Sequence, residues 1–316
     1  MVKKPSRREI GAMLGSCCSS LLFGMSYMFT KNIVGQVSVF ALLSWRFLFG
    51  SVALTLCAVF HIIRIDFKSK SPWVLLRMTL FVPAAYFIFE TYGIHLTSSS
   101  ESGTIIACIP IATIFASAVL LKEKPSKMQV MGILISTCGI VILVLLKGGE
   151  PTFSALGYLL LLGAVITDSL YFIENRKLTQ FTPVEKTYFM CLTGAVVFTT
   201  LALIDGSVHH NLRTYLALPF SNPVFLGSVL YLGLGCTTLA FLLANRSVSI
   251  LGPTRTSAFS GLSTVISVIS GVAFLHENFS VLQGVATVLV LTGIYFVNMF
   301  YPTPNKTLPE KEASQS

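Results

Sequence analysis

The chain has 316 residues, of which 53% are hydrophobic and only 11% charged, with a mean hydropathy of +0.77 and a net charge of +9. A soluble domain is about one quarter charged, so this composition excludes a soluble enzyme and a disordered chain. The seven cysteines all lie in apolar runs without C-x-x-C spacing, which excludes a disulfide scaffold and argues against a metal centre.

In chain order, the first apolar run covers 10–31, after the basic start Lys3, Lys4, Arg7 and Arg8. No small-residue cleavage site follows a short apolar core, as a signal peptide would require. The Leu14-Gly15-Ser16-Cys17 segment lies too close to Arg8 to act as a lipoprotein cleavage box. Nine more runs follow at 37–62, 73–95, 99–121, 127–146, 155–175, 183–204, 223–244, 251–275 and 280–300. Each is long enough to cross a hydrocarbon core of about 30 Å at about 1.5 Å per residue. The runs are continuous and not alternating, so they predict helices and not barrel strands. The expectation is an all-α polytopic membrane protein of ten transmembrane helices, with a basic segment 1–9 before them and a Pro-rich, disordered tail at 301–316.

Ten spans place both termini on one side. With the N-terminus inside, the inner segments hold 17 Lys and Arg and the outer ones three, namely Lys31, Lys147 and Arg213. That bias follows the positive-inside rule and predicts cytoplasmic termini in the cytoplasmic membrane. It also makes the basic surplus topological and leaves no nucleic-acid surface, which would need clustered charge with interleaved aromatics.

The stretches 122–143 and 276–297 align at a constant offset of 154, matching Glu123 with Glu277, Ser126 with Ser280, Gln129 with Gln283 and Gly139 with Gly293. A weaker echo pairs Gly11 and Lys31 with Gly157 and Lys177. These matches divide the chain into repeats at 10–146 and 155–300, joined by an outer linker at 147–154. Five spans per repeat make the second copy inverted in the membrane, a plan that places a transporter's substrate site near midplane between the halves.

Phe23-Gly24 followed by Lys31, Arg46 in LLSWRFLFGS, and the stretch from Tyr92 through Thr97-Ser98, Pro110, Lys122-Glu123-Lys124 and Gly132 to Gly139 resemble the drug/metabolite transporter superfamily, EamA type. Glu277 and Gly293 match the second copy of that pattern. Phe23 stands where Trp is usual, Thr264 where the second repeat often has Pro, and span seven has no counterpart of Arg46. The resemblance covers about residues 10–300 and implies a ten-helix carrier of small polar or amphipathic metabolites, often moving them outward.

An ionisable residue within a span costs at least about 2.5–3.5 kcal/mol, so it usually faces the bundle interior. Arg46 lies about 13 Å below the outer end of span two, and Glu90 about 8 Å below the outer end of span three. An Arg46–Glu90 pair is within reach, either as an interhelical clamp or as a substrate- or proton-binding element. Arg77 is placed to snorkel to the headgroups. Asp168 lies past midplane in span six and shares a helix face with Tyr171 and Asn175. Tyr86 stands one turn before Glu90, a second pairing of aromatic and carboxylate that suits cations. Each of these polar groups has packing as its alternative role.

Pro110 in span four, Gly233 and Gly235 in span eight, and Gly261 in the small-residue stripe of span nine mark candidate kinks or sliding surfaces. His61, His95, His209, His210 and His276 lie near the interfaces and do not converge. No D-x-x-x-D-type acidic cluster serves a metal–diphosphate, and no cofactor is expected. The reading is a secondary transporter for an amino acid, amine or related compound, working by alternating access, with efflux expected over import and with proton coupling or facilitated exchange left open. Its partners are a small-molecule substrate and the lipid bilayer, with protons as the coupling ion if transport is proton-driven. The alternative is an integral-membrane enzyme acting on a lipid-linked substrate.

Overall fold

The computed structural model describes residues 5–31, 33, 37–67, 70–96, 105–106, 108–146, 154–275 and 280–300. The expected tail at 301–316, most of the linker at 147–154, the polar opening of span four and Glu277 fall outside the described residues. Among the described residues the fold is all-helical. Its helices are α1 (Arg7–Lys31), α2 (Val39–Val59), α3 (Leu76–Thr79), α4 (Tyr86–Leu96), α5 (Ile109–Leu120), α6 (Lys127–Leu146) and α7 (Ala155–Lys177). They continue as α8 (Pro183–Val208), α9 (Leu212–Ser221), α10 (Pro223–Leu230), α11 (Phe241–Leu251), α12 (Pro253–Ser257), α13 (Ser260–Leu275) and α14 (Val281–Met299).

Among the described residues six stretches are long and apolar enough to cross a bilayer: Val39–Val59, Pro72–Gly93, Ala155–Lys177, Pro183–Val208, Pro223–Leu251 and Val281–Met299. Shorter apolar helices cover Ile109–Leu120 and Lys127–Leu143. The outer surface is apolar, with Leu14, Val52, Phe115, Leu159, Val196 and Val288 exposed, whereas Arg46, Asn175, Lys186, Asn245 and Arg255 are buried. A water-soluble globule has the reverse polarity. This distribution suits a protein dissolved in lipid that keeps its polar groups for interhelical contacts.

The helix starts explain part of the internal repeat. Ser126 Oγ accepts from the Gln129 amide N–H at 3.1 Å while the Ser126 N–H donates to Gln129 Oε1 at 3.0 Å. Ser280 and Gln283 form the same capping box at the start of α14. Thr182 and Glu185 do so for α8. Such boxes satisfy amide donors that the first helical turn leaves unpaired.

Packing is dominated by pairs of helices drawn from the two halves. Helix α6 runs antiparallel to α14, since Ser126 Oγ at its start donates to the Phe300 carbonyl at 2.5 Å and Gly139 faces Ala286. Helix α2 runs antiparallel to α8 through Ser38–Asp205, Ser44–Thr199 and a Phe47–Phe198 stack. Helix α4 packs on α7 and α1 on α11; α5 packs on α7 and α1 on α13.

Two membrane-spanning stretches are not regular helices. Between α3 and α4, residues Leu80–Ala85 form a π-helical turn in which Val82 is extended (φ −134, ψ 119) just before Pro83. Pro83 lacks the N–H and its ring crowds the preceding turn, which accounts for the kink. Between α10 and α11, Tyr231–Ala240 is π-helical and contains Gly233 and Gly235. Pro110 falls in the first turn of α5, after a turn at Cys108, so it restarts a helix and does not bend one. A comparable break at Ala258–Phe259 separates α12 from α13.

Candidate functional site

The π-helical segment Tyr231–Ala240 packs against the buried Arg46. Gly233 sits against the Arg46 carbonyl, where a Cβ would come within 2.7 Å of the oxygen, so its small size lets the π-helical segment reach α2. Arg46 Nε donates to Thr237 Oγ1 at 2.7 Å, and its guanidinium carbon lies 5.0 Å from the Phe87 ring centroid. The guanidinium is therefore held by a hydroxyl and an aromatic face.

The expected Arg46–Glu90 contact resolves differently. They form no ion pair among the described residues, although they stand within electrostatic reach of one another. Glu90 instead accepts from the Tyr86 hydroxyl at 2.7 Å, as the i, i+4 spacing on α4 suggests. Asp168 on α7 is within electrostatic reach of both Glu90 and Tyr171 and forms no hydrogen bond among the described residues. Glu90 and Asp168 are each only partly exposed, and the two carboxylates stand within electrostatic reach of one another.

Tyr171 and Asn175 belong to a neighbouring network that the sequence did not single out. The Tyr171 hydroxyl donates to Asn245 Oδ1 at 2.5 Å, and Asn175 Nδ2 donates to the same oxygen. Asn245 Nδ2 donates to Thr187 Oγ1 at 2.8 Å. Lys186 Nζ donates to the Asn175 carbonyl at 2.6 Å and to its Oδ1 at 3.0 Å. Asn245 thus joins α7, α8 and α11. The shared face of Asp168, Tyr171 and Asn175 is real in helical register, but only the latter two share a hydrogen-bonded partner. Replacing Asn245 with Ala should strand the buried Tyr171 and Asn175 donors and destabilise the protein by about 2–4 kcal/mol. Thermal unfolding of the purified variant measures this; an unchanged midpoint would mean the network is dispensable.

Three further residues differ from their expected places. Arg77 does not merely snorkel: its Nε donates to Glu174 Oε2 at 2.8 Å, and Glu174 also pairs with Lys177. Gly235 has only ordinary contacts, the nearest at 3.6 Å from the Tyr231 ring, so it marks the π-helical segment without a packing demand. Gly261 is tightly placed, with Ile140 3.0 Å and Ser136 3.1 Å from where a Cβ would stand. Sequence reasoning passed over Pro83 and Asn245, read Lys186 only as an inner charge, and read Thr237 only as part of a weak point in span eight. Pro83 inside an apolar run was the one plain signal among them.

Long apolar helices with an apolar outer surface, packed around buried polar side chains, are the build of an integral-membrane protein. The chain belongs to the EamA-like transporter family, whose model matches residues 10–145 and 155–299, one copy in each half. It is a multi-pass membrane protein of a transporter family and not an enzyme. It is 30% identical over 309 residues to "Uncharacterized transporter YcxC" of Bacillus subtilis, covering 96% of this chain and 99% of that one. It is 27% identical to "Uncharacterized transporter YetK" of the same organism, covering 92% of this chain and 87% of that one. A "WAT1-related protein" of Arabidopsis thaliana is 25% identical, covering 71% of this chain and 68% of that one. One solved crystal structure superposes with a TM-score of 0.73 at 19% identity, covering 90% of this chain and 97% of that chain, a likeness of fold alone.

Proposed function

We propose that the chain is a ten-helix carrier built of two inverted five-helix repeats, which moves a small polar or amphipathic metabolite outward across the cytoplasmic membrane by alternating access. The observation that carries this reading is the mutual nearness of Arg46, Glu90 and Asp168 within the bundle, beside irregular segments from both halves. Interrupted helices beside a midplane site are a common transporter arrangement.

The packing supports the inverted repeat. Exchanging the halves (repeat 10–146 for repeat 155–300) maps α2 on α8 and α6 on α14 onto themselves. It also maps α4 on α7 onto α11 on α1, and α5 on α7 onto α13 on α1. The two π-helical segments exchange in the same way, as do the breaks near Cys108 and Ala258. In this reading Asp168, with Tyr171, Tyr86 and Asn175 near it, contacts the substrate, Glu90 loads and releases the coupling proton, and Arg46 tunes it. Pro110, Gly233, Gly235 and Gly261 lie where the helices bend or slide.

Topology is tested with single cysteines placed beside the caps, Lys124→Cys and Val281→Cys, in a background lacking the native cysteines. An impermeant thiol reagent should label the two from opposite faces; labelling from one face removes the inverted repeat. Transport is tested by a panel of amino acids, amines, nucleosides and carboxylates in reconstituted vesicles. Saturable flux of an unmodified compound is expected. A chemically altered product would favour the enzyme reading.

A further inference from the structure

Where α7 ends and α8 begins, a cleft of about 290 Å³ opens beside the last turn of α11. Its walls include Arg176, Lys186, Thr179, Thr182, Phe181 and Ser249. Its lining thus combines two cations and several hydroxyls with the apolar ring of Phe181.

The charge balance of this cleft is unusual. Neither Arg176 nor Lys186 forms an ion pair among the described residues, whereas the neighbouring carboxylates are engaged: Glu174 with Arg77 and Lys177, and Glu185 with Lys70. Glu123 is within electrostatic reach of Arg176 but does not pair with it. Arg176 and Lys186 also repel one another.

The two cations differ in how well their surroundings explain them. Arg176 sits in the last turn of α7, where a cation is favoured, and Nη1 donates to the Ser249 carbonyl at 2.7 Å, leaving most of its donors unused. Lys186 sits in the first turn of α8, the end where the helix dipole disfavours a cation, and it is only 1% exposed. The Asn175 carbonyl and side chain receive its hydrogen bonds but supply no formal negative charge. A buried ammonium without a counter-charge is costly, and an anion seated between it and Arg176 would compensate both.

We propose that this cleft binds the phosphate of an anionic phospholipid headgroup. All three helices that frame it end there, which sets it at headgroup depth and not in solution. Basic pockets between membrane helices on the cytoplasmic side are suited to such headgroups. Arg176 reaches the phosphate through its unused donors, Lys186 supplies the buried charge, and Thr179 and Thr182 offer hydroxyls beside it. Assignment to the inner leaflet rests on the orientation proposed above, whereas the binding chemistry does not.

The test uses the purified full-length protein in neutral detergent, where membrane sidedness has no influence, so its outcome is separate from that of the topology labelling. Phosphatidylglycerol should raise the thermal unfolding midpoint saturably, as a ligand that binds the folded state does. Phosphatidylcholine and inorganic phosphate at equal concentration should not. Arg176→Gln and Lys186→Gln should each weaken the phosphatidylglycerol affinity about five- to tenfold, while Arg213→Gln in α9 leaves it unchanged. Should the Lys186 variant fail to fold, the Arg176 variant, whose side chain lies at the surface, decides the matter. Undiminished binding in the Arg176 variant would overturn the site. Equal stabilisation by inorganic phosphate would overturn the headgroup assignment.

Discussion

The Glu90→Gln variant is expected to equilibrate its substrate across vesicle membranes yet fail to concentrate it when a pH gradient is imposed. Gln preserves the shape of Glu90 and retains an oxygen able to accept from the Tyr86 hydroxyl, which lies 2.7 Å from the carboxylate. It cannot ionise. The accumulation ratio should therefore fall to about one while exchange down a gradient continues, because coupling requires a group that changes charge between the two faces. Asp168→Asn should behave differently, weakening apparent substrate affinity about tenfold through loss of a charge-assisted contact. Accumulation at full wild-type level in the Glu90→Gln variant would reduce Glu90 to a structural neighbour of Arg46.

A large loss of stability is expected from Gly293→Val. Helices α6 and α14 cross so closely that a Cβ on Gly293 would fall against the Gly132 carbonyl and 2.5 Å from the Ser136 backbone nitrogen. A Cβ on Gly132 would in turn lie 2.8 Å from the Gly293 carbonyl. These obstacles are backbone, so no rotamer change relieves them, and the helices would have to separate. Overpacking typically costs about 1–3 kcal/mol, and a clash with backbone belongs at the upper end of that range. Gly227→Ala is the matched control, because nothing lies within 4 Å of its Cβ position. Thermal unfolding in detergent should show a large drop for the first and little change for the second. Equal midpoints would mean that α6 and α14 do not depend on this close approach.

The all-helical membrane architecture was legible because hydropathy and helix-cap chemistry are local. Ser126 with Gln129 and Ser280 with Gln283 stood out as repeat matches, and they are capping boxes at the starts of α6 and α14. Gly139 and Gly293 stood out likewise, and both lie in the α6–α14 crossing. Helix facing was far less legible. In a soluble helix the apolar stripe marks the core, but in lipid the outer face is apolar as well, so hydropathy gives depth without direction. The Arg46–Glu90 contact was inferred from depth alone, and the partner of Arg46 proved to be Thr237, 191 residues away in sequence. Lys186 was counted among the inner loop charges because it lies near a helix start, yet it is buried beneath Asn175. Arg77 was assigned to the headgroups by depth, whereas its direction brings it to Glu174.

Counterflow most directly tests the claim that the enclosed polar groups form the substrate site of an alternating-access carrier. Vesicles preloaded with an unlabelled substrate and diluted into labelled substrate should take up the label transiently above its equilibrium level. This overshoot should shrink sharply in the Asp168→Asn variant at substrate concentrations near the KM of the unaltered protein. Label entering in simple proportion to its concentration, without overshoot and unaffected at Asp168, would contradict the account.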